Sequence, residues 1–509
     1  MASPLKETLR SLGKRRIAVV SAAVAALAII GGGVWLSQRN LRFTQEPAQR
    51  QPLPEKADKN SKPPTQVLFT KVDVFDGFNP NLIENANVLI EGNVITRVST
   101  TPIDAPDAFV VDAAGKTMTP GLIDMHSHIV FMTPEGTNSY SDEWDGPGGG
   151  AMAAQAVRDD YLMKGITTIR DIAGNSRGIA RAAQRGLLIS PRIYTSGSVL
   201  SQTGGHGDWG ARNDTHVVDH GAAIQHSMIV DGREDVIRAT RRNYRNGAHF
   251  TKIMAGGGVA SRFDPIEILS ANKEEVEAAV EIAENYGTYV AIHAYHDRSY
   301  QQALDAGVRS FEHGFLISEP IVKQMASKGE KVVWSFQCYV SINTFGSYES
   351  MPDFFTHEQK LKGVAVGKGA RNAAKMMKKH GVFTVGGSDM FGPGLQERIK
   401  EDITCNVDAG YTPAEALKHW TGNAGKVLKW SGPLDPYPTY ALGRIAPDTY
   451  ADILIWDKNP LEDINVILDE NNLKFVMKDG IAYKNTLVEA DSLMYRPAKQ
   501  PITRAQIPL

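Results

Sequence analysis

Cysteine is nearly absent from this chain: Cys338 and Cys405 are the only two among 509 residues. Two are too few for a disulfide framework or a cysteine-rich zinc module, so any bound metal must be held by histidine and carboxylate side chains. Both read as buried thiols, and whether they pair stays open, because a disulfide needs Cα atoms within about 7 Å. Net charge is small as well, 55 basic against 57 acidic residues for a formal −2. No overall field then favours nucleic acid or an acidic surface, and nucleic acid is excluded as a partner. The first β/α unit also lacks a G-x-G-x-x-G loop, which argues against an open dinucleotide-binding sheet. What is abundant is core material: 42% hydrophobic residues in a chain this long support a large buried core with a smaller domain attached.

The N-terminus departs from that globular pattern. Lys6, Arg10, Lys14, Arg15 and Arg16 precede an uncharged apolar run at residues 17–36. About 20 such residues at 1.5 Å rise cross a ~30 Å hydrocarbon core, and the basic flank stays on the cytoplasmic side. We therefore expect residues 1–16 to form a cytoplasmic basic segment and 17–36 a transmembrane signal anchor. The catalytic body would then lie outside the cytoplasm, in the periplasm or the extracellular space. A cleaved signal peptide is the competing reading, although the run exceeds a usual h-region and no good small-x-small site follows. Arg15-Arg16 has the look of a twin-arginine signal whose remainder is poorly matched. Residues 37–66, rich in Gln, Pro, Lys and Asn, read as a disordered linker.

Beyond the linker, residues 67–118 offer short β-rich runs (VLFTKVDVF, NVLIEGNVITRV) punctuated by Gly, Pro and Asn. A second set follows in ADILIWD and KFVMKDGIAYK, within residues 438–509. Neither set suffices alone, so the two ends are expected to pair into one small β-sandwich domain, closed by a C-terminal tail. Between them, across residues 119–437, short apolar runs alternate with amphipathic helical stretches, the pattern of parallel strands with crossover helices. Eight candidate strands begin at Gly121, Ile166, Arg192, His249, Tyr289, Ser310, Val332 and Phe383. The fold class expected is α/β: a (β/α)8 TIM-like barrel with the β-sandwich domain attached and the membrane segment ahead of both. The glycines of AGGGVAS, residues 255–261, read as a flexible loop at the barrel mouth.

A barrel of this kind carries its active site at the C-terminal ends of the strands. His126 and His128 end the first candidate strand two residues apart, so both imidazoles point to one face. Lys252 lies in the fourth, His293 near the end of the fifth, His313 in the sixth and Asp389 at the end of the eighth. Each has a bland alternative: a hydrogen-bonded core histidine, a snorkelling lysine, an aspartate capping a helix. Together, at strand ends only, they point to metal ligation. Lys252 carries the most information, because an ammonium cannot face a dication. Reaction of the neutral amine with carbon dioxide would give a carbamate able to bridge two metals. Asp124, one layer below His126, reads either as a support for a ligand or as a structural carboxylate.

These residues stand in TPGLIDMHSH from Thr119, GITTIRD from Gly165, SQTGGHGDW from Ser201, FTKIMAGGGV from Phe250, VAIHAYHD from Val290, FEHG from Phe311 and GGSD from Gly386. In that order, and with the late LGRIAPDTYADILIWDKNPLEDI from Leu442, the chain resembles the amidohydrolase superfamily over nearly everything after the linker. The likeness is to its imidazolonepropionase-like branch, which includes Xaa-Pro dipeptidases and ochratoxin-hydrolysing enzymes. The resemblance implies that His126, His128 and Asp389 bind one divalent metal and His293 and His313 a second, with carbamylated Lys252 between them. Zinc is the metal such donors suit first. It also implies a homo-oligomer and a small-molecule or short-peptide substrate. The reaction expected is attack by a hydroxide bridging the two metals, with Asp389 as proton shuttle. The bond cleaved would be an amide to a C-terminal amino acid, in a dipeptide or an N-acyl amino acid. Cyclic amidase, lactonase or deaminase activity is the alternative chemistry, and a membrane-tethered binding protein on the same scaffold the alternative class. His206 in GGHGDW, Tyr295 and Arg170 are the expected substrate contacts, with His296 beside them. A structural ion pair is the competing reading for Arg170.

Overall fold

The computed structural model describes residues 65–131, 147–210, 220–353, 355–390 and 398–487. The apolar run at 17–36, the basic segment before it and nearly all of the linker lie outside those residues, as does the tail after 487. Among the described residues no helix is long and apolar enough to cross a membrane.

All eight expected inner strands form: β1 (Leu122–Ser127), β2 (Ile166–Asp171), β3 (Arg192–Thr195), β4 (Thr251–Met254), β5 (Val290–His296), β6 (Ser310–Leu316), β7 (Val333–Phe336) and β8 (Thr384–Gly386). They run parallel in consecutive order within two hydrogen-bonded arcs, β1–β3 and β4–β8. His249 N–H donates to Thr195 O at 2.8 Å to join the arcs on one side, and Asp389 N–H donates to His126 O at 2.7 Å on the other. The third strand is interrupted. Gly197, with φ +67°, turns the chain so that it resumes as Val199–Ser201, which pairs with β4.

Almost every strand residue is buried, because one face looks into the ring and the other onto helices. Ile123, Met125, Tyr194, Phe250, Tyr289, Ala291, Val333 and Val385 share a buried cluster with Ala424, Val427 and Leu428 of a later helix. Drawn from most of the strands and the residues just before them, they pack at the floor of the ring. The crossover helices show why they are helices. In Lys273–Asn285 the positions Val276, Ala279, Val280 and Ala283 are buried at helical spacing, and Asn272 with Glu275 closes a capping box at its start.

The two ends of the chain do pair. Thr117–Pro120 lies antiparallel to Ile453–Trp456, and nine strands from both ends share one hydrogen-bonded sheet. The layers of this domain therefore come from one continuous sheet. Phe69 and Phe475 lie on strands three places apart in that sheet, ~14 Å in a flat one, yet their rings are 5.3 Å apart. The sheet is therefore folded over its own core of Val72, Val88, Ile95, Ile453 and Met477, so one sheet supplies both layers.

A correction concerns the cysteines. Cys338 and Cys405 are joined by a disulfide, with Cα atoms 5.8 Å apart, and are not separate thiols. The bond ties the segment after β7 to the helix Ile399–Asp408. Alongside it, Tyr339 N–H donates to Asp402 Oδ2 at 2.8 Å.

Candidate metal centre

At the C-terminal end of the ring a cavity is lined by His126, His128, Lys252, His293, His313 and Asp389. All six residues expected from the sequence thus meet at one place. Ligand atoms of His126, His128 and Asp389 lie within 4.8 Å of one another. His128 Nε2 is 3.0 Å and His126 Nε2 3.4 Å from Asp389 Oδ1. The rings of His293 and His313 are 4.5 Å apart, and His313 sits 5.0 Å from His126.

Local backbone geometry makes this convergence possible. The pairing of β1 with β2 slips between Asp124 and Ser127. That irregularity turns His126 towards the cavity, although Ile123 and Met125 fill the floor below. His313 (φ +67°) and Asp389 (φ +54°) both occupy the left-handed region, which costs a residue with a Cβ and persists only where the surroundings enforce it. Gly387 lets β8 approach β1: a Cβ there would lie 2.6 Å from the backbone nitrogen of His126. Asp124 stitches the same junction, accepting from His126 N–H (3.1 Å), Ser388 N–H (2.9 Å) and Ser388 Oγ–H (2.6 Å). It touches no candidate ligand side chain directly, and burial lifts its carboxyl to about 6.

Electrostatics suit cation binding. Burial alone would lower His126, but the charge of Asp389 and the hydrogen bonds with Asp389 and Glu312 together leave its pKa raised. Burial holds His128 low and His293 and His313 well below the usual histidine range, so three of the four imidazoles are neutral donors. Asp389 is held well below the carboxylate range: burial opposes ionisation, but His126 and the hydrogen bonds from both histidines prevail. Burial brings the Lys252 ammonium down to about 8. The donor set of imidazoles, a carboxylate and a lysine open to carbamylation fits divalent metals of the zinc type.

Two supporting residues escape the sequence reading. Glu312 Oε2 is 2.8 Å from His126 Nδ1. A carboxylate only accepts, so Nδ1 carries the proton and Nε2 is left for a metal. Gln337 Oε1 accepts from His313 N–H at 3.1 Å. Glu312 adjoins His313 in the FEHG motif, and strict strand alternation would send the two to opposite faces. The left-handed His313 breaks that alternation.

Arg170 is a correction. It is fully buried, does not line the cavity, and donates to Glu312 Oε1 (2.8 Å), Ser310 Oγ (2.9 Å) and Met125 O (2.6 Å). A guanidinium so engaged cannot meet a substrate carboxylate. His296 also lies off the cavity, its Nε2–H donating to Ile268 O at 3.2 Å. His206 and Tyr295 do line it. His206 stacks on His293 with centroids 4.2 Å apart and shares a 2.7 Å hydrogen bond with Ser261 Oγ, while burial pushes its pKa to about 4. Tyr295 stacks on His313 at 5.1 Å. Phe131, Trp209, Val259, Val340, Phe345 and Phe355 complete the wall. They come from connecting segments, where no periodicity marks a wall residue.

The AGGGVAS segment is not a free loop, contrary to expectation. Lys362 Nζ donates to Gly258 O (2.6 Å), Ser261 O (2.7 Å) and Asp264 O (3.0 Å), and Gly258 N–H donates to Asp264 Oδ2 at 2.7 Å. Gly258 is required there, since a Cβ would lie 1.9 Å from His206 Nδ1.

Comparison with known proteins agrees with this architecture. The profile of the amidohydrolase family matches residues 117–482. Ochratoxinase from Aspergillus niger is 28% identical over 421 residues, covering 79% of this chain and 83% of that one. Imidazolonepropionase from a Geobacillus species is 22% identical, covering 79% and 90%. The crystal structure of a prolidase complexed with N-methylphosphonate-L-proline superposes with a TM-score of 0.75 at 32% identity, covering 83% of this chain and all of that one.

Proposed function

This chain belongs to the amidohydrolase family and is a hydrolase of amide bonds, and from that premise we propose that its substrates are amides of a C-terminal amino acid, in dipeptides or N-acyl amino acids. The observation that carries the reading is the convergence of His126, His128, Lys252, His293, His313 and Asp389 on one cavity. His126, His128 and Asp389 would hold one cation and His293 and His313 the other, with Lys252, as its carbamate, shared between them. Divalent cations bound there, zinc by preference of the donors, supply polarisation of the scissile carbonyl and a lowered pKa for the attacking water.

The remaining work falls to the protein's own side chains. Asp389 accepts the proton of the attacking water and delivers it to the departing nitrogen, which is a poor leaving group as an anion. Glu312 keeps the proton of His126 on Nδ1. His206 and Tyr295 meet the polar groups flanking the scissile bond, and Phe131, Trp209, Val340, Phe345 and Phe355 exclude water around the apolar ones. We further propose that the run at 17–36 anchors the enzyme with its catalytic body outside the cytoplasm. The Cys338–Cys405 disulfide supports this placement, since such bonds persist in oxidising compartments.

The test is product analysis with the metal-loaded full chain on dipeptides, N-acyl amino acids, cyclic amides and lactones. Release of a free amino acid is expected. Ring opening of cyclic substrates, with no amino acid released from any linear amide, would overturn the proposal. Lys252→Ala should abolish turnover and lower bound metal below two per chain. Retention of both metals and full activity would remove the bridging role.

A further inference from the structure

The ladder between β6 and β7 pairs Ser310 with Val333, Phe311 with Trp334 and Glu312 with Ser335, and ends there. His313, the next residue of β6, turns left-handed at φ +67°. Side chains of the β7 segment meet its peptide groups. Gln337 Oε1 accepts the His313 N–H at 3.1 Å, and Trp334 Nε1–H donates to His313 O at 2.6 Å. Both side chains are fully buried. Trp334 stacks on Phe336 with ring centroids 4.6 Å apart. Gln337 is pinned in turn: its Nε2 donates to Ser335 Oγ at 2.8 Å, and its backbone carbonyl accepts from Ser341 Oγ–H at 2.6 Å. The residue after it is Cys338, tied by its disulfide to the helix Ile399–Asp408.

A residue with a Cβ stays in the left-handed region only where its surroundings enforce it. In extended backbone Glu312 and His313 would leave opposite faces of the strand. With Glu312 facing His126 inside the ring, His313 would then face outward, away from His293. A buried N–H or C=O without a partner is costly, so the Gln337 acceptor and the Trp334 donor favour the backbone that brings the imidazole into the cavity. Gln337 Nε2 also lies 3.1 Å from His126 Nδ1. The proton of that nitrogen goes to Glu312, so His126 is oriented without Gln337, and the dependence on Gln337 falls on His313. We propose that Gln337, with Trp334, is a positioning residue for the second cation: it sets His313 in place before a metal arrives and so fixes the affinity of the His293 and His313 pair. This rests on the two-cation reading of the cavity.

Zinc binding to the metal-free full chain, measured in bicarbonate buffer by competition with a chromophoric chelator, tests it. The wild type should take up two zinc ions. Gln337→Met, which keeps the side-chain length and removes the acceptor, should weaken the second roughly tenfold or more and the first by less than about threefold. A substitution that merely loosened the fold would weaken both. Unchanged affinities in Gln337→Met, or parallel weakening of the two sites, would overturn the proposal. A single zinc in the wild type would instead remove the two-cation reading, and the proposal with it. Residue-resolved hydrogen exchange needs no variant: the His313 amide of the metal-free wild type should be protected to within about threefold of the zinc-loaded chain, because its acceptor is already in place. Protection that appears only on adding zinc would show that the cation imposes the conformation, which also overturns the proposal.

Discussion

At the scale of the residue, the informative case is Arg170. As an arginine near a strand end it reads from sequence either as a receiver for a substrate carboxylate or as one half of a structural ion pair, and its position in GITTIRD does not decide between them. In the folded protein it is locked onto Glu312 at 2.8 Å, with both side chains fully buried, and Glu312 in turn fixes the proton of His126. Arg170→Met should therefore act on stability: removing one partner of a buried pair leaves the other charge uncompensated and costs about 3–5 kcal/mol. Urea unfolding should register that loss. A variant of unchanged stability with a raised KM would instead restore Arg170 to the substrate. The partner lies 142 residues along the chain, so nothing local in the sequence marks the pair. The six candidate ligands were legible because ligand-type residues recur at the ends of strands whose borders the apolar pattern already shows.

Among the elements, the glycine segment after β4 shows how tertiary contacts override composition. Three glycines in a row, 256–258, predict freedom. Three carbonyls of the segment converge on Lys362 Nζ from the helix His357–His380, and the segment seats His206. With Lys362→Met, hydrogen exchange across 256–264 should accelerate by an order of magnitude and turnover should fall, while global stability changes little. Unaltered exchange there would show that the clasp is dispensable. The junction of β3 and β4 carries a pH response. His249 Nδ1 accepts the Thr195 N–H at 2.9 Å, and burial holds its pKa at about 4 against an ordinary 6.5. At pH 7 the ring is neutral in both folded and unfolded chains. As pH falls below 6.5 only the unfolded chain takes up the proton, so stability is lost until the folded form also protonates near 4. Between pH 7 and 4.5 this amounts to about 2–3 kcal/mol. His249→Asn, whose amide oxygen can accept the same N–H, should lose that much less than the wild type across the range. Parallel losses in the two proteins would assign the acid sensitivity elsewhere.

On the scale of the whole molecule, the disulfide joins parts of the ring that the chain visits 67 residues apart. Closing a loop of that length stabilises by roughly 2–4 kcal/mol. Cys338→Ala with Cys405→Ala should be less stable by that amount, and dithiothreitol should bring the wild type to the same unfolding midpoint. Two reactive thiols in the denatured, unreduced wild type would show that the bond does not form. The sequence by itself determined the strand and helix alternation, the pairing of the two chain ends and the residue types that meet at the cavity. The first follows from periodicities of two and 3.6 residues within each segment, the second from strand sets too small to close a sheet alone, and the third from ligand-type residues standing at strand ends. Only the tertiary structure decided the burial of Arg170 against Glu312, the folding of one β-sheet over itself, the cysteine pairing and the Lys362 clasp. Each depends on a distance between groups far apart in sequence, and such distances exist only once the ring has closed and excluded water from the groups it brings together.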